Sequence, residues 1–132
     1  MAASGLKQAD IQAYLNAAFR ATAYTTSTSP LRGELTTTAP TATTNGTPVS
    51  GGSYAKQNIT FAAPSGTAVA SSGSVAFTGM PAATVVGMDI LDSAGSPSYK
   101  AYGVFGTSIT TLAGDTISFA SGAITVTITN TP

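Results

Sequence analysis

Val49-Ser50-Gly51-Gly52-Ser53-Tyr54-Ala55-Lys56-Gln57 runs directly into Asn58-Ile59-Thr60-Phe61-Ala62-Ala63-Pro64. Gly51-Gly52 forms a tight turn, because glycine tolerates the backbone angles a reversal needs. Past the turn, apolar Ile59 and Phe61 alternate with polar Asn58 and Thr60, the two-residue period of a half-buried strand. The same period returns downstream between glycine and proline punctuation, at the spacing of a sandwich or barrel. Strands are expected near 53–62, 68–70, 73–78, 84–92, 100–106, 108–112, 116–120 and 123–130. Alternation turns Ile59, Phe61, Val75, Phe77, Val86, Met88, Ile90, Ile117 and Phe119 inward. It also sends Ile124, Val126 and Ile128 to one face and Thr125, Thr127 and Thr129 to the other. Turns are expected at Ser71-Ser72-Gly73, Ala94-Gly95-Ser96-Pro97, Ala113-Gly114-Asp115 and Ser121-Gly122, the last two as hairpins joining the final three strands.

Upstream of that stretch the pattern differs. Between Leu6 and Arg20 the apolar residues Ile11, Ala13, Tyr14, Leu15, Ala18 and Phe19 recur every three or four positions, which predicts an amphipathic helix with Asp10 near its start and Arg20 at its end. Residues 21–29 are small and β-branched and read as a strand stopped by Pro30. Residues 34–48 are dominated by threonine, with no large apolar residue beyond Leu35, and are expected to add little core. They read as an extended surface loop, or as an arm laid over a neighbouring subunit. The fold class is therefore mainly β: an antiparallel β-sandwich, jelly-roll or immunoglobulin-like, with one N-terminal helix and a Thr-rich loop or arm, in one domain over 1–132.

A chain of 132 residues can bury roughly two-thirds of its unfolded surface without disulfide or metal staples. Charged residues make up 8% of it, against about 25% in an ordinary soluble domain. Lys7, Arg20, Arg32, Lys56 and Lys100 balance Asp10, Glu34, Asp89, Asp92 and Asp115, so the net charge is zero. Nucleic acid is not expected as a partner, because tracking phosphates needs clustered lysine and arginine. Near-neutrality also removes electrostatic protection against association, which favours a chain that lives bound to other subunits as a homo-oligomer, with a trimer as the form whose closed symmetry suits a lattice of subunits. There is no cysteine, hence no disulfide or thiolate chemistry. No apolar run is long enough for a membrane helix, and the N-terminus lacks the regions of a signal peptide. The chain is expected to be made in a cytoplasm and to stay soluble until it assembles.

The inventory for catalysis is nearly empty. Without histidine there is no imidazole base, no serine–histidine triad and no usual zinc site. Asp89, Asp92 and Asp115 are the only carboxylates that suggest calcium, but Asp92-Ser93-Ala94-Gly95 reads better as a turn whose Asp bonds its own backbone. A glycosidase pair lacks a cleft, and Gly51-Gly52 lacks the Lys-Ser/Thr and helix of a phosphate loop. No catalytic, cofactor or metal residue is expected. Tyr54, Tyr99 and Tyr102 are candidate interface anchors, with ordinary packing as the competing reading; Lys56 and Arg32 are the charged interface candidates. Asn45-Gly46-Thr47 and Asn58-Ile59-Thr60 match the glycosylation pattern by chance in a threonine-rich chain. Lys56 and Asn58 share a face and suggest a covalent cross-link, but no acid partner is evident beside them.

The helix over 6–20, the string Gly51-Gly52-Ser53-Tyr54-Ala55-Lys56-Gln57, then Ile59-Thr60-Phe61-Ala62-Ala63, Val75-Ala76-Phe77 and Pro81-Ala82-Ala83-Thr84-Val85, resemble the small virion proteins of tailed phages. The likeness is strongest to phages of actinobacterial hosts, whose proteins are often labelled tail-fibre or minor tail proteins. It spans about four-fifths of the chain, and its most specific element is the Gly-Gly-Ser-Tyr-Ala-basic-Gln string of residues 51–57. The chain departs from that pattern in having Lys56 where arginine is common, no tryptophan, and a longer threonine-rich stretch. The resemblance implies a non-enzymatic structural protein of a virion. With neither long repeats nor a coiled coil, the first expectation is a capsid decoration protein stabilising the outer head surface, with the major capsid protein as partner. The alternative is a minor tail or tail-fibre protein bound to tail proteins and involved in adsorption, and the second alternative is a carbohydrate-binding β-sandwich. In each case no cofactor, nucleic acid or membrane is expected.

Overall fold

The computed structural model describes residues 3–128. In chain order the elements are β1 (Ala3–Leu6), α1 (Gln8–Arg20), β2 (Leu31–Thr36), β3 (Gln57–Ile59), β4 (Ala68–Ala70), β5 (Val75–Met80), β6 (Ala83–Leu91), β7 (Tyr99–Thr111), β8 (Asp115–Phe119) and β9 (Thr125–Thr127). Five strands form one sheet in the order β1-β7-β6-β2-β3, while β4–β9 and β5–β8 are two-stranded ribbons. All of these pairings are antiparallel. The architecture is a mainly β sandwich with one N-terminal helix.

The core joins the large sheet to the ribbons. Leu35 of β2, Met88 and Ile90 of β6 and Ala101 of β7 meet Val75, Phe77 and Met80 of β5 and Ile117 of β8. Gly33 makes this closure possible: a Cβ there would lie 2.8 Å from Ile59 Cδ1, 3.1 Å from Met88 Sδ and 3.2 Å from Phe77 Cζ. The Phe77 ring stacks on Tyr54 at 6.1 Å and meets Phe119 edge-on at 6.2 Å, geometries that suit the aromatic quadrupole.

Several elements differ from their sequence expectations, each for a physical reason. The strand expected over 53–62 shortens to β3, because Gly51 and Gly52 take φ of 107° and 59° and Ser53 donates to Gly79 O, docking the turn on the end of β5. The two strands expected over 100–112 are one, β7. Its register against β6 steps from Val104↔Gly87 to Ile109↔Val85, so extra residues near Gly106 bulge without breaking the strand. Three extra residues on β7, an odd number, reverse the facing of the two strands across the bulge, and Val85 is in the core while Val86 is half-buried. Ile124 is buried, but Ile128, past the end of β9, is 56% exposed. Thr129 and Asn130 lie outside the described residues.

The expected hairpins among the last three strands do not form. Gly114 and Gly122 do adopt φ of 89° and 80°, yet β8 pairs with β5 and β9 with β4. The turns bond elsewhere, Gly114 N–H to Met80 O and Gly122 N–H to Ser71 O. Local reversal and strand partnership are separate decisions, and packing of Ile117 and Phe119 beside Phe77 and Val75 makes the second. Residues 21–29 form no strand, because their polar backbone contacts go to the 92–93 turn: Thr28 N–H donates to Asp92 Oδ2 and Thr28 O accepts from Ser93 N–H.

The largest corrections concern β2 and α1. Residues 31–36 form a central strand in which Gly33, Glu34, Leu35 and Thr36 are all buried, inside a region expected to contribute little core. Helix α1 forms as expected but begins at Gln8, since Leu6 ends β1 and Lys7 caps the helix. Among the described residues its apolar face is only partly covered: Tyr14 stacks on Tyr24 at 4.7 Å, while Leu15 is 53% and Phe19 82% exposed, and Asp10 is its buried residue. Polar contacts anchor it, with Asp10 accepting from Lys100 Nζ at 3.1 Å and from the Tyr24 hydroxyl at 3.2 Å.

Candidate functional site

The second face of the five-stranded sheet carries a row of polar residues in register. Gly5 of β1 faces Tyr102 of β7, Tyr102 faces Asp89 of β6, and Asp89 faces Glu34 of β2. Asp89 and Glu34 are 0% and 2% exposed. A carboxylate is tolerated in such surroundings only when paired and hydrogen-bonded, and each has its own lysine. Lys7 Nζ lies 2.8 Å from Asp89 Oδ1 and Lys56 Nζ lies 2.7 Å from Glu34 Oε2. The Tyr99 hydroxyl donates to Glu34 Oε1 at 3.2 Å. The Lys7 ammonium also sits 5.3 Å from the Tyr102 ring centre and 5.9 Å from that of Tyr99, within cation–π range.

The threonine-rich stretch lies over this row, folded onto its own sheet. Lys7 Nζ donates to the carbonyls of Thr41 at 2.9 Å and Thr44 at 3.1 Å. Gly46 N–H donates to Asp89 Oδ2 at 2.8 Å, and Gln8 N–H to Ala42 O at 2.9 Å. Thr37 N–H to Thr47 O closes the neck of the loop. Two glycines permit the fit: a Cβ on Gly87 would come 2.8 Å from Pro40 Cδ, and one on Gly46 would come 2.6 Å from Thr36 Cβ and Thr38 O. With few large side chains to bury, the loop is held mainly by hydrogen bonds to buried charge.

Electrostatics around the row follow from burial. The Tyr99 phenol is pushed up to about 12, by burial first and then by the negative charge of Glu34. Tyr54 is likewise raised to about 12 by burial, with Glu34 adding and the Leu35 N–H bond to its oxygen opposing. At the helix, burial pulls Lys100 down, but its hydrogen bond to Asp10 and the Asp10 charge more than offset this and leave it above the ordinary lysine value. Tyr14 is raised by burial and by its bond with Tyr24.

The residues singled out from sequence fall in different places. Tyr99, Tyr102 and Lys56 join the buried row, and Tyr54 packs under it, its oxygen accepting from Leu35 N–H at 2.7 Å. Arg32 reaches Asp92 O at 3.3 Å. Asp89, Asp92 and Asp115 are not brought together. Asp92 caps its own turn, accepting from Ser98 N at 2.8 Å, Thr28 N at 3.2 Å and Ala94 N at 3.3 Å, and the Ser98 bond foremost holds its carboxyl below the ordinary value. Asp115 accepts from Leu112 N. Sequence reasoning missed the roles of Lys7 and Glu34. Glu34 had a signal, a charge at the centre of the alternating run Leu31 to Thr36, whereas Lys7 had none.

A family model described as Podophage GP4 fiber I protein gp80 matches residues 7–127. The match covers nearly the whole chain, and the chain belongs to that family, one of phage structural proteins. No curated protein matches it.

Proposed function

With membership of a phage fibre family as the premise, we propose that this chain is a non-enzymatic component of a tail fibre, built into the virion and acting through shape and adhesion. The family match over residues 7–127 carries the reading, and it favours the tail-fibre alternative over the capsid decoration expected first. That expectation leaned on the lack of repeats and of a coiled coil, but a fibre can also be assembled by packing small β modules. All five carboxylates of the chain are engaged structurally: Asp10, Glu34 and Asp89 with lysines, Asp92 and Asp115 with backbone N–H groups. Side chains committed to holding the fold together in this way are not available to an external substrate, which supports a passive role toward other molecules. Exposed Ile11, Leu15 and Phe19, in a chain of zero net charge, support a life packed against tail proteins and further copies of itself.

Purified virions test this. Quantitative gels should show few copies per particle, labelled antibody should mark the tail, and phage lacking the gene product should adsorb poorly. Hundreds of copies over the head, with normal adsorption and a heat-labile shell, would return the assignment to capsid decoration.

A further inference from the structure

Lys7 and Asp89 are not arranged as an ordinary ion pair. The amine lies 2.8 Å from Oδ1, yet its aligned hydrogen bonds go to the Thr41 and Thr44 carbonyls. Among the described residues Oδ1 receives no aligned hydrogen bond, while Oδ2 is fixed by Gly46 N–H. The nitrogen is thus pressed against the carboxyl group without hydrogen-bond alignment. The Lys100–Asp10 pair differs: it makes an aligned bond at 3.1 Å, and the lysine side chain is 14% exposed. The Lys56 amine, considered from sequence as a cross-linking partner of Asn58, goes to Glu34 instead and keeps 34% of its side chain in water.

What surrounds the Lys7–Asp89 contact completes a reactive set. Side chains of Lys7 and Asp89 are 5% and 0% exposed, and the 37–48 loop closes over them. Glu34, 2% exposed, stands directly opposite Asp89 on the neighbouring strand, which places the two Cβ atoms about 4.5–5.5 Å apart. The Tyr99 hydroxyl bonds Glu34 Oε1.

From this geometry we infer that Lys7 and Asp89 become joined by an intramolecular amide bond between Nζ and Cγ, with Glu34 as the proton-transferring group. The ammonium gives one proton to the Asp89 carboxylate, and the freed lone pair on Nζ attacks Cγ. Glu34 takes a second proton from the nitrogen and delivers it to the leaving hydroxyl. One C–N bond forms, one C–O bond breaks and one water leaves; ammonium plus carboxylate become a neutral amide plus water, with no oxidant or reductant. In bulk water the equilibrium opposes this condensation. Fixed contact inside a fold can supply effective concentrations of roughly 10⁵–10⁸ M, and the closed loop keeps water from the product. The amide also removes two buried charges, whose desolvation is the main cost of the ion pair.

The bond ties the β1–α1 junction to central strand β6 and locks the threonine-rich loop between them, so tension on the N-terminal segment would pass into the sheet through a covalent link. The inference stands on these contacts and is independent of the tail assignment. Intact-mass spectrometry of the full-length chain, folded by circular dichroism, tests it against Lys7→Arg made in the same host. Beyond the arginine substitution itself, wild type should be lighter by one water, and digestion should yield a branched peptide joining Lys7 to Asp89. Glu34→Gln, checked for folding in the same way, should gain the bond many-fold more slowly or not at all. Wild type with no water deficit, or a deficit that maps to another position, overturns the cross-link; Glu34→Gln that matures at the wild-type rate overturns the role of Glu34.

Discussion

At the scale of single residues, stability is concentrated in a few positions that composition hides. Lys7→Met leaves Asp89, 0% exposed, without its partner, and removing one member of a buried pair costs about 3–5 kcal/mol; urea denaturation should show that loss. Gly46→Ala should cost about 1–3 kcal/mol by overpacking, since the new methyl would stand 2.6 Å from Thr36 Cβ and Thr38 O. Asp92 supplies a pH dependence with a defined sign. Its folded carboxyl is held below the ordinary value of 3.8 by the Ser98, Thr28 and Ala94 N–H groups. The stabilisation is therefore complete above that value and disappears as pH falls through the lower folded one. Urea midpoints measured downward from neutral pH should fall in the acid range, and Asp92→Asn should flatten part of that slope. An unchanged slope would mean that the three N–H bonds do not favour the ionised form. Asp92 was legible as a turn residue because its partners lie mostly within its own loop. Lys7 was not, since its partners Thr41, Thr44 and Asp89 are brought to it only by the fold.

Among the elements, periodicity revealed existence more reliably than partnership. The three-to-four spacing gave α1 its correct length to within two residues, but it could not show whether anything covers the apolar stripe. Ile11, Leu15 and Phe19 are 40%, 53% and 82% exposed, and the fold gains little from them. Leu15→Glu and Phe19→Ser should therefore each shift unfolding of the isolated chain by no more than about 0.5 kcal/mol, as surface changes do. A loss of several kcal/mol in either variant would show that the helix face is covered within the chain. Strand β2 makes the opposite case: its alternation over Leu31 to Thr36 is short, carries glycine and two charges, and runs straight into the threonine-rich stretch, so its second half reads as part of that loop. Strand β2 is buried on both faces, one in the core and one under the 37–48 loop, and composition does not show that the polar positions of an alternating run will be covered by a loop that follows in sequence.

For the molecule as a whole, the threonine-rich loop inverts a compositional rule. Low-complexity polar segments usually stay open because they bury too little apolar surface to offset chain entropy. Here residues 37–48 are held by hydrogen bonds between backbone groups and buried charge. The Lys7 amine holds two loop carbonyls, Asp89 accepts from Gly46, and Ala42 accepts from Gln8. The ribbon β4–β9 has only three residues in each strand, mostly half-buried or exposed, so it has less to lose on opening. Local opening energies follow such differences in burial and bonding. Native-state hydrogen exchange should accordingly protect β2 and β6 most, protect the Gly46 amide well above its intrinsic rate, and find the β4–β9 amides exchanging first. In a folded Lys7→Met variant the Gly46 and Gln8 amides should lose protection before β6 does, because the clasp is released while the core packing of Leu35, Phe77 and Met88 is untouched. If Gly46 exchanges at its intrinsic rate in the wild type, the loop is not clasped, and the buried charge must be stabilised by some other contact.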